Sequence, residues 1–143
     1  MSYLLDVNVL IALIDEGHIH HQFAKNWFLK KHKEGWSTCP ITENGLLRIV
    51  SNPRYELEIE SPRIIANFLK ILKRNYSGFS FIPDDYSMVS ETIELENVIS
   101  HKHITDAYLL GLAHRNKMKL ATIDSKIRTY FLKEKDADVI ELI

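Results

Sequence analysis

Four acidic side chains stand where a carboxylate could do chemistry. Asp6 interrupts the apolar run SYLLDVNVLIAL, Glu43 follows CPIT, Asp106 lies in HITDAYLLGLA, and Asp124 ends LATID. If the four converge about 5 Å apart, each like-charged pair costs on the order of 3 kcal/mol at an effective dielectric of about 20. Six such pairs come to roughly 20 kcal/mol, more than a typical domain's whole stability. A cluster of this kind takes up protons or binds cations. Ligands that are all carboxylate oxygen suit hard divalent ions, Mg²⁺ or Mn²⁺, whose shells leave room for water and phosphate. Zinc is the weaker alternative, because no histidine is placed among these acids and Cys39 is the lone cysteine.

Each acid also has a local reading. Asp106 and Glu43 stand in first turns of helices, where the dipole stabilises negative charge. Asp124 with Ser125 could cap a helix, and Asp6 could form an Asx turn with Asn8. Taken singly, these local readings are the stronger. Taken together they fail, because capping explains neither an acid inside the apolar run at Asp6 nor four acids on one edge.

The elements that must position them follow from periodicity and punctuation. Residues 2–6 predict a short buried strand, 8–15 a helix, and 20–32 a second helix carrying Phe23, Trp27 and Phe28. Residues 36–40 predict a strand closed by Pro40, and 41–51 a helix with Thr42 as its cap. Ser61-Pro62 is a cap-then-proline start for an apolar stripe of Ile64, Ile65, Phe68, Leu69 and Leu72. Residues 79–83 predict a strand, 86–98 a weak helix, and 105–116 a stronger helix capped by Thr105. Strands over 120–123 and 139–143 enclose a predicted helix over 125–134. Alternating strands and helices argue for one three-layer α/β/α domain over residues 1–143, with a central parallel sheet of four to five short strands. Ligands of such sheets bind beyond the carboxyl ends of the strands. Asp6 and Asp124 end strands, and Glu43 and Asp106 begin helices on that edge, provided the first strand is central.

Composition sets further bounds. Hydrophobic residues make up 45% and charged residues 26% of the 143, the ordinary mix of a globular chain rather than a disordered one. The net charge of −1 excludes a uniformly basic nucleic-acid binder, so any attraction to RNA or DNA must be local. No cationic leader precedes an apolar core at the N-terminus, and no run of 18 apolar residues occurs, so the expected location is cytoplasmic with no membrane partner.

The segments LLDVNVLIAL, CPITENGLLRIV, HITDAYLLGLA and LATIDSKI, in this order, resemble the PIN-domain nucleases, most of all the VapC-type toxins of prokaryotic toxin–antitoxin pairs. The resemblance covers essentially the full chain. It implies a PIN-like fold and Mg²⁺- or Mn²⁺-dependent cleavage of RNA, together with a homodimer and a neutralising VapB-type antitoxin. It puts the family's acidic quartet on Asp6, Glu43, Asp106 and Asp124, its helper polar position on Asn8, and its small hydroxyl on Thr122.

Other residues are weaker candidates. Arg48, Lys126 and Arg128 lie close in sequence to the acids and could steer an RNA backbone. His18, His20 and His21 read as solvated surface rather than a zinc site, and Lys30, Lys31 and Lys33 as a solvated helix end. Trp27, Phe28 and Phe68 read as core or interface, and the helix over 62–72 as a possible dimer or antitoxin surface. The roles of Asp84, Asp85, His101 and His103 stay open. Two rivals remain: a catalytically silent PIN-like binding module, and another α/β domain using an acidic site for phosphotransfer. The latter wants an aspartate where this chain has Asn8.

Overall fold

The computed structural model describes residues 1–56 and 61–143. Five short strands form one parallel sheet: β1 (Tyr3–Leu5), β2 (Trp36–Thr38), β3 (Phe79–Phe81), β4 (Lys119–Thr122) and β5 (Ile140–Leu142), in the order β3-β2-β1-β4-β5. The first strand is central. Tyr3 pairs with Trp36 on one side and Lys119 on the other, and Leu5 pairs with Ala121.

Among the described residues, five helices complete the layers: α1 (Val7–Ile14), α2 (His21–Lys31), α3 (Pro40–Val50), α4 (Pro62–Asn75) and α5 (Ile104–Arg115). Alternation along β1 divides the core between the two faces. Tyr3 and Leu5 join Leu10, Phe28, Leu46 and Leu69, from α1 to α4. Leu4 joins Leu109, Leu110 and Leu112 of α5, with Leu120 beside it. The split follows from right-handed crossovers. The chain moves outward from β1 to β3 with its helices on one face, then returns past β1 to β4 and β5 and must cover the other. That reversal makes the carboxyl ends of β1 and β4 the switch point where such sheets bind ligands.

The predicted caps are adjusted by a residue or more. α3 begins at Pro40 with Cys39 as its cap. Thr42, predicted as the cap, sits one turn in, and its Oγ1 accepts from the Cys39 N–H at 3.0 Å. α5 begins at Ile104 rather than after Thr105, preceded by a 3-10 turn over His101–His103. Ser61 caps α4 as its sequence predicts, accepting from the Arg63 N–H.

Two predicted helices do not form, and one cause accounts for both. Residues 86–98 hold a 3-10 turn at Leu95–Asn97, and residues 125–134 hold another at Thr129–Phe131. The two segments bond to each other. Ile93 and Leu132 form an antiparallel bridge, the Glu94 N–H donates to the Phe131 carbonyl at 2.8 Å, and the Lys133 N–H donates to the Thr92 carbonyl at 3.1 Å. Backbone groups committed across this pair are not available to a helix ladder. The pairing also buries Ile93, Ile127, Phe131 and Leu132 against α5.

Gly45 is where α3 meets the start of α1. A Cβ there would lie 2.8 Å from Val7 Cγ2, inside any allowed contact. Gly45→Leu should therefore overpack this junction beside Asp6 and cost about 2 kcal/mol, read as a lower urea midpoint with an unchanged m-value.

Candidate active site at the carboxyl edge of the sheet

Asp6 follows β1 and caps α1. Its Oδ1 accepts from the Val7 N–H at 2.7 Å, and its Oδ2 accepts from the Thr122 hydroxyl at 2.7 Å. Only 5% of the residue is exposed. Thr122, fully buried at the end of β4, is the hub of a short network. Besides donating to Asp6, its Oγ1 accepts from Asn8 Nδ2 and from the Asp124 N–H, each at 3.1 Å. Asn8 is fixed in turn, because its Oδ1 accepts from the Ile123 N–H at 3.2 Å. Asn8 thus reaches Asp6 through Thr122 rather than directly.

Three of the four acids act on one another. Burial pushes the Asp6 carboxyl up from its ordinary 3.8 to about 6; the Thr122 and Val7 donors oppose the rise, and the charges of Asp106 and Asp124 add to it. Asp106, in the first turn of α5, is also raised by burial and by the charge of Asp124, with His103 opposing. His103 Nδ1 stands 3.6 Å from Asp106 Oδ2 and is buried without a hydrogen-bond partner. Asp124 makes an Asx turn, its Oδ1 accepting from the Lys126 N–H at 2.8 Å.

Glu43 departs from the expected convergence. It lies in the first turn of α3, but its Oε1 accepts from the Thr38 hydroxyl at 2.6 Å and is ion-paired with Lys73 of α4. Among the described residues, no three His, Cys, Asp or Glu side chains stand close enough to share one ion as they are placed. Glu43 is instead engaged by Lys73 and Thr38.

A cleft of about 500 Å³ opens beside Asp6, lined also by Asn44, Arg48, Asp84, Thr105 and Asp106. Arg48 is where a phosphate-steering cation is expected. Lys126 is exposed beside Asp124, whereas the Arg128 guanidinium is turned onto the carbonyls of Ser125 and Ile127. Asn44, Thr105, Thr38 and Lys73 were not legible as site residues. Asp84, left open by sequence, lies on the cleft wall. The histidines near α2 gather no ligand set: His21 Nδ1 contacts the Ala12 carbonyl at 2.7 Å, and His18 Nδ1 accepts from the His20 N–H.

The donor set at this edge is oxygen only, with Asp6 buried and Asp106, Asp124 and Glu43 half-buried. Asp6 meets two hydrogen-bond donors and no cation. That fits a hard divalent ion.

Because the Asp6 pKa is raised by folding, the protonated acid favours the native state. That stability is full below pH 3.8 and is lost as pH rises through about 6. In chelator at pH 8, Asp6→Asn should be more stable than the unsubstituted protein by about 2 kcal/mol, the gap closing by pH 4. Urea titrations at the two pH values read it directly.

The chain matches the PIN domain family over residues 3–131. It is 38% identical over 128 residues to Ribonuclease VapC38 of Mycobacterium tuberculosis, covering 88% of this chain and 87% of that protein. Ribonuclease VapC39 of the same organism is also 38% identical over 128 residues, covering 89% and 91%. Among solved structures, M. tuberculosis VapC20, described as a sarcin–ricin-loop-cleaving toxin, superposes with a TM-score of 0.62 at 13% identity, covering 88% of this chain and 92% of that one. VapBC2 from Rickettsia felis, bound to a DNA fragment from its promoter, gives 0.62 at 18% identity, covering 88% and 90%. At those identities the structures speak to fold alone. The chain is a PIN domain and belongs to the VapC family.

Proposed function

We propose that this chain is a divalent-metal-dependent endoribonuclease, the toxin of a VapBC-type toxin–antitoxin pair. The observation that carries the reading is Asp6, a buried carboxylate at the switch point of the sheet, pressed by the charges of Asp106 and Asp124 and open to a cleft. Its relatives, named as ribonucleases, supply the substrate class.

Asp6, Asp106 and Asp124 would hold Mg²⁺ or Mn²⁺, with Glu43 as a further donor. Such an ion lowers the pKa of water and offsets charge developing on an attacked phosphodiester. The chain's own residues do the rest. Thr122 holds Asp6 in one orientation, and Asn8 holds Thr122. Arg48, on the cleft wall, steers the RNA backbone towards the acids. A groove between α1, α2 and α4, with Leu29, Phe68 and Ile71 beside Glu16, Lys25 and Asn75, lies apart from the cleft. Phe68 is 42% and Ile71 50% exposed, and we assign this groove to a protein partner, the VapB-type antitoxin, with a homodimer as the resting form. The reading keeps all residues from 1 to 143 in one domain that works in the cytoplasm; no helix among the described residues is long and apolar enough to cross a membrane.

One observation favours the rival, a silent PIN-like module: Glu43 is engaged by Lys73 rather than by the cleft. A single assay separates the two. Purified protein incubated with total RNA should yield new, mappable ends with Mg²⁺ or Mn²⁺ and none with chelator. Asp6→Asn and Asp106→Asn should abolish those ends while leaving the circular-dichroism spectrum unchanged, and Asn8→Ala should slow cleavage roughly tenfold to a hundredfold. Metal-independent cleavage, or full activity in either aspartate variant, rejects the assignment.

A further inference from the structure

Lys73 sits in the last turn of α4, 30 residues beyond Glu43, and is ion-paired with Glu43 Oε1. That oxygen also accepts from the Thr38 hydroxyl. The ammonium lies 4.7 Å from the Phe79 ring centre and 5.9 Å from that of Phe81. Two aromatic faces and a carboxylate therefore hold it in place, and three-quarters of its side chain is out of solvent, at 26% exposure. This is a built contact rather than a loose surface pair.

Its position divides the acidic edge. Glu43 is not on the wall of the cleft, although its neighbour Asn44 is. Glu43 has a cation supplied by the chain, whereas Asp6 meets two hydrogen-bond donors and no cation.

We propose that Lys73 is a resident counter-cation for Glu43, which a divalent ion entering the cleft must displace before Glu43 can join Asp6, Asp106 and Asp124. The proposal rests on the reading of this edge as a cation site. Lys73 opposes the ion in two ways, by occupying a ligand and by adding like charge nearby. In the ion's absence it stabilises the fold by neutralising Glu43. Its removal therefore strengthens ion binding while weakening the ion-free protein, two effects of opposite sign.

The test uses Lys73→Met, which keeps the aliphatic stem, and Lys73→Arg, which keeps the charge. Chelator-treated protein is titrated with MnCl₂ by calorimetry, and melting is followed in EDTA and in saturating Mn²⁺. Lys73→Met should bind Mn²⁺ about tenfold more tightly than the unsubstituted protein, and Lys73→Arg within about twofold of it. In EDTA the Met variant should melt a few degrees lower, and saturating Mn²⁺ should narrow the gap. Should Lys73→Met fail to fold, Lys73→Gln gives the same comparison. Equal or weaker Mn²⁺ binding by a folded variant overturns the role of Lys73 alone. So does an equal melting deficit with and without the ion. No Mn²⁺ binding by the unsubstituted protein removes the cation site itself, and this proposal with it.

Discussion

The structure turns on one carboxylate taken out of water at the end of its central strand. At the end of β1 a helix start and a second strand end reach Asp6 together. The Val7 N–H opens α1 beneath one oxygen, and Thr122, at the end of β4, donates to the other. A carboxylate with two donors and a helix dipole is tolerable in a way that an isolated buried charge is not. The strand order is what makes the pair possible, since β1 and β4 are neighbours only because the chain doubles back after β3. Topology and electrostatics therefore specify the same point.

Capping and site chemistry, which compete as explanations when the sequence is read residue by residue, are not alternatives in the folded chain. Asp6 is a helix cap and a cluster member at once. Asp124 makes its Asx turn while its charge raises both Asp6 and Asp106. Local hydrogen bonds give the Asp6 and Asp124 carboxylates a fixed orientation, and a fixed orientation is what a coordinating oxygen needs. The local interactions lessen the repulsion without removing it, because the hydrogen bonds to Asp6 do not outweigh its burial.

How far the sequence disclosed this depends on whether the information is local. Short, doubly buried strands announce themselves as apolar runs between breaks, and all five lie where periodicity puts them. The caps shift by a residue because neighbouring hydroxyls and prolines compete for one role, as Cys39, Pro40 and Thr42 do. The segments around Ile93 and Leu132 carry helical patterns yet form no helix, since each is defined by the other, across nearly 40 residues of chain. Glu43 and Lys73 are a similar case. Sequence placed Glu43 on the right edge, but nothing local tells that a lysine in the last turn of α4 reaches it. Pairwise partners distant in sequence are where single-sequence reasoning ran out, and the same limit hid Thr38.

Cation affinity and the stability of the ion-free fold are one quantity seen from two sides. Under the proposed function, free energy held in the repulsion among Asp6, Asp106 and Asp124 would be released on ion binding, adding to affinity by the amount it subtracts from ion-free stability. A tighter cluster would bind more strongly and fold less well. The chain meets this constraint by dividing its acids. Asp6 sheds part of its charge through a raised pKa, Asp106 has His103 beside it, and Glu43 has Lys73. Each device lowers the repulsion that the ion-free protein must bear, and each must be undone, at least in part, for all four oxygens to face one centre. Under the proposed function, a site built this way would rest folded but not fully assembled, and an arriving ion and phosphate would draw the final arrangement together.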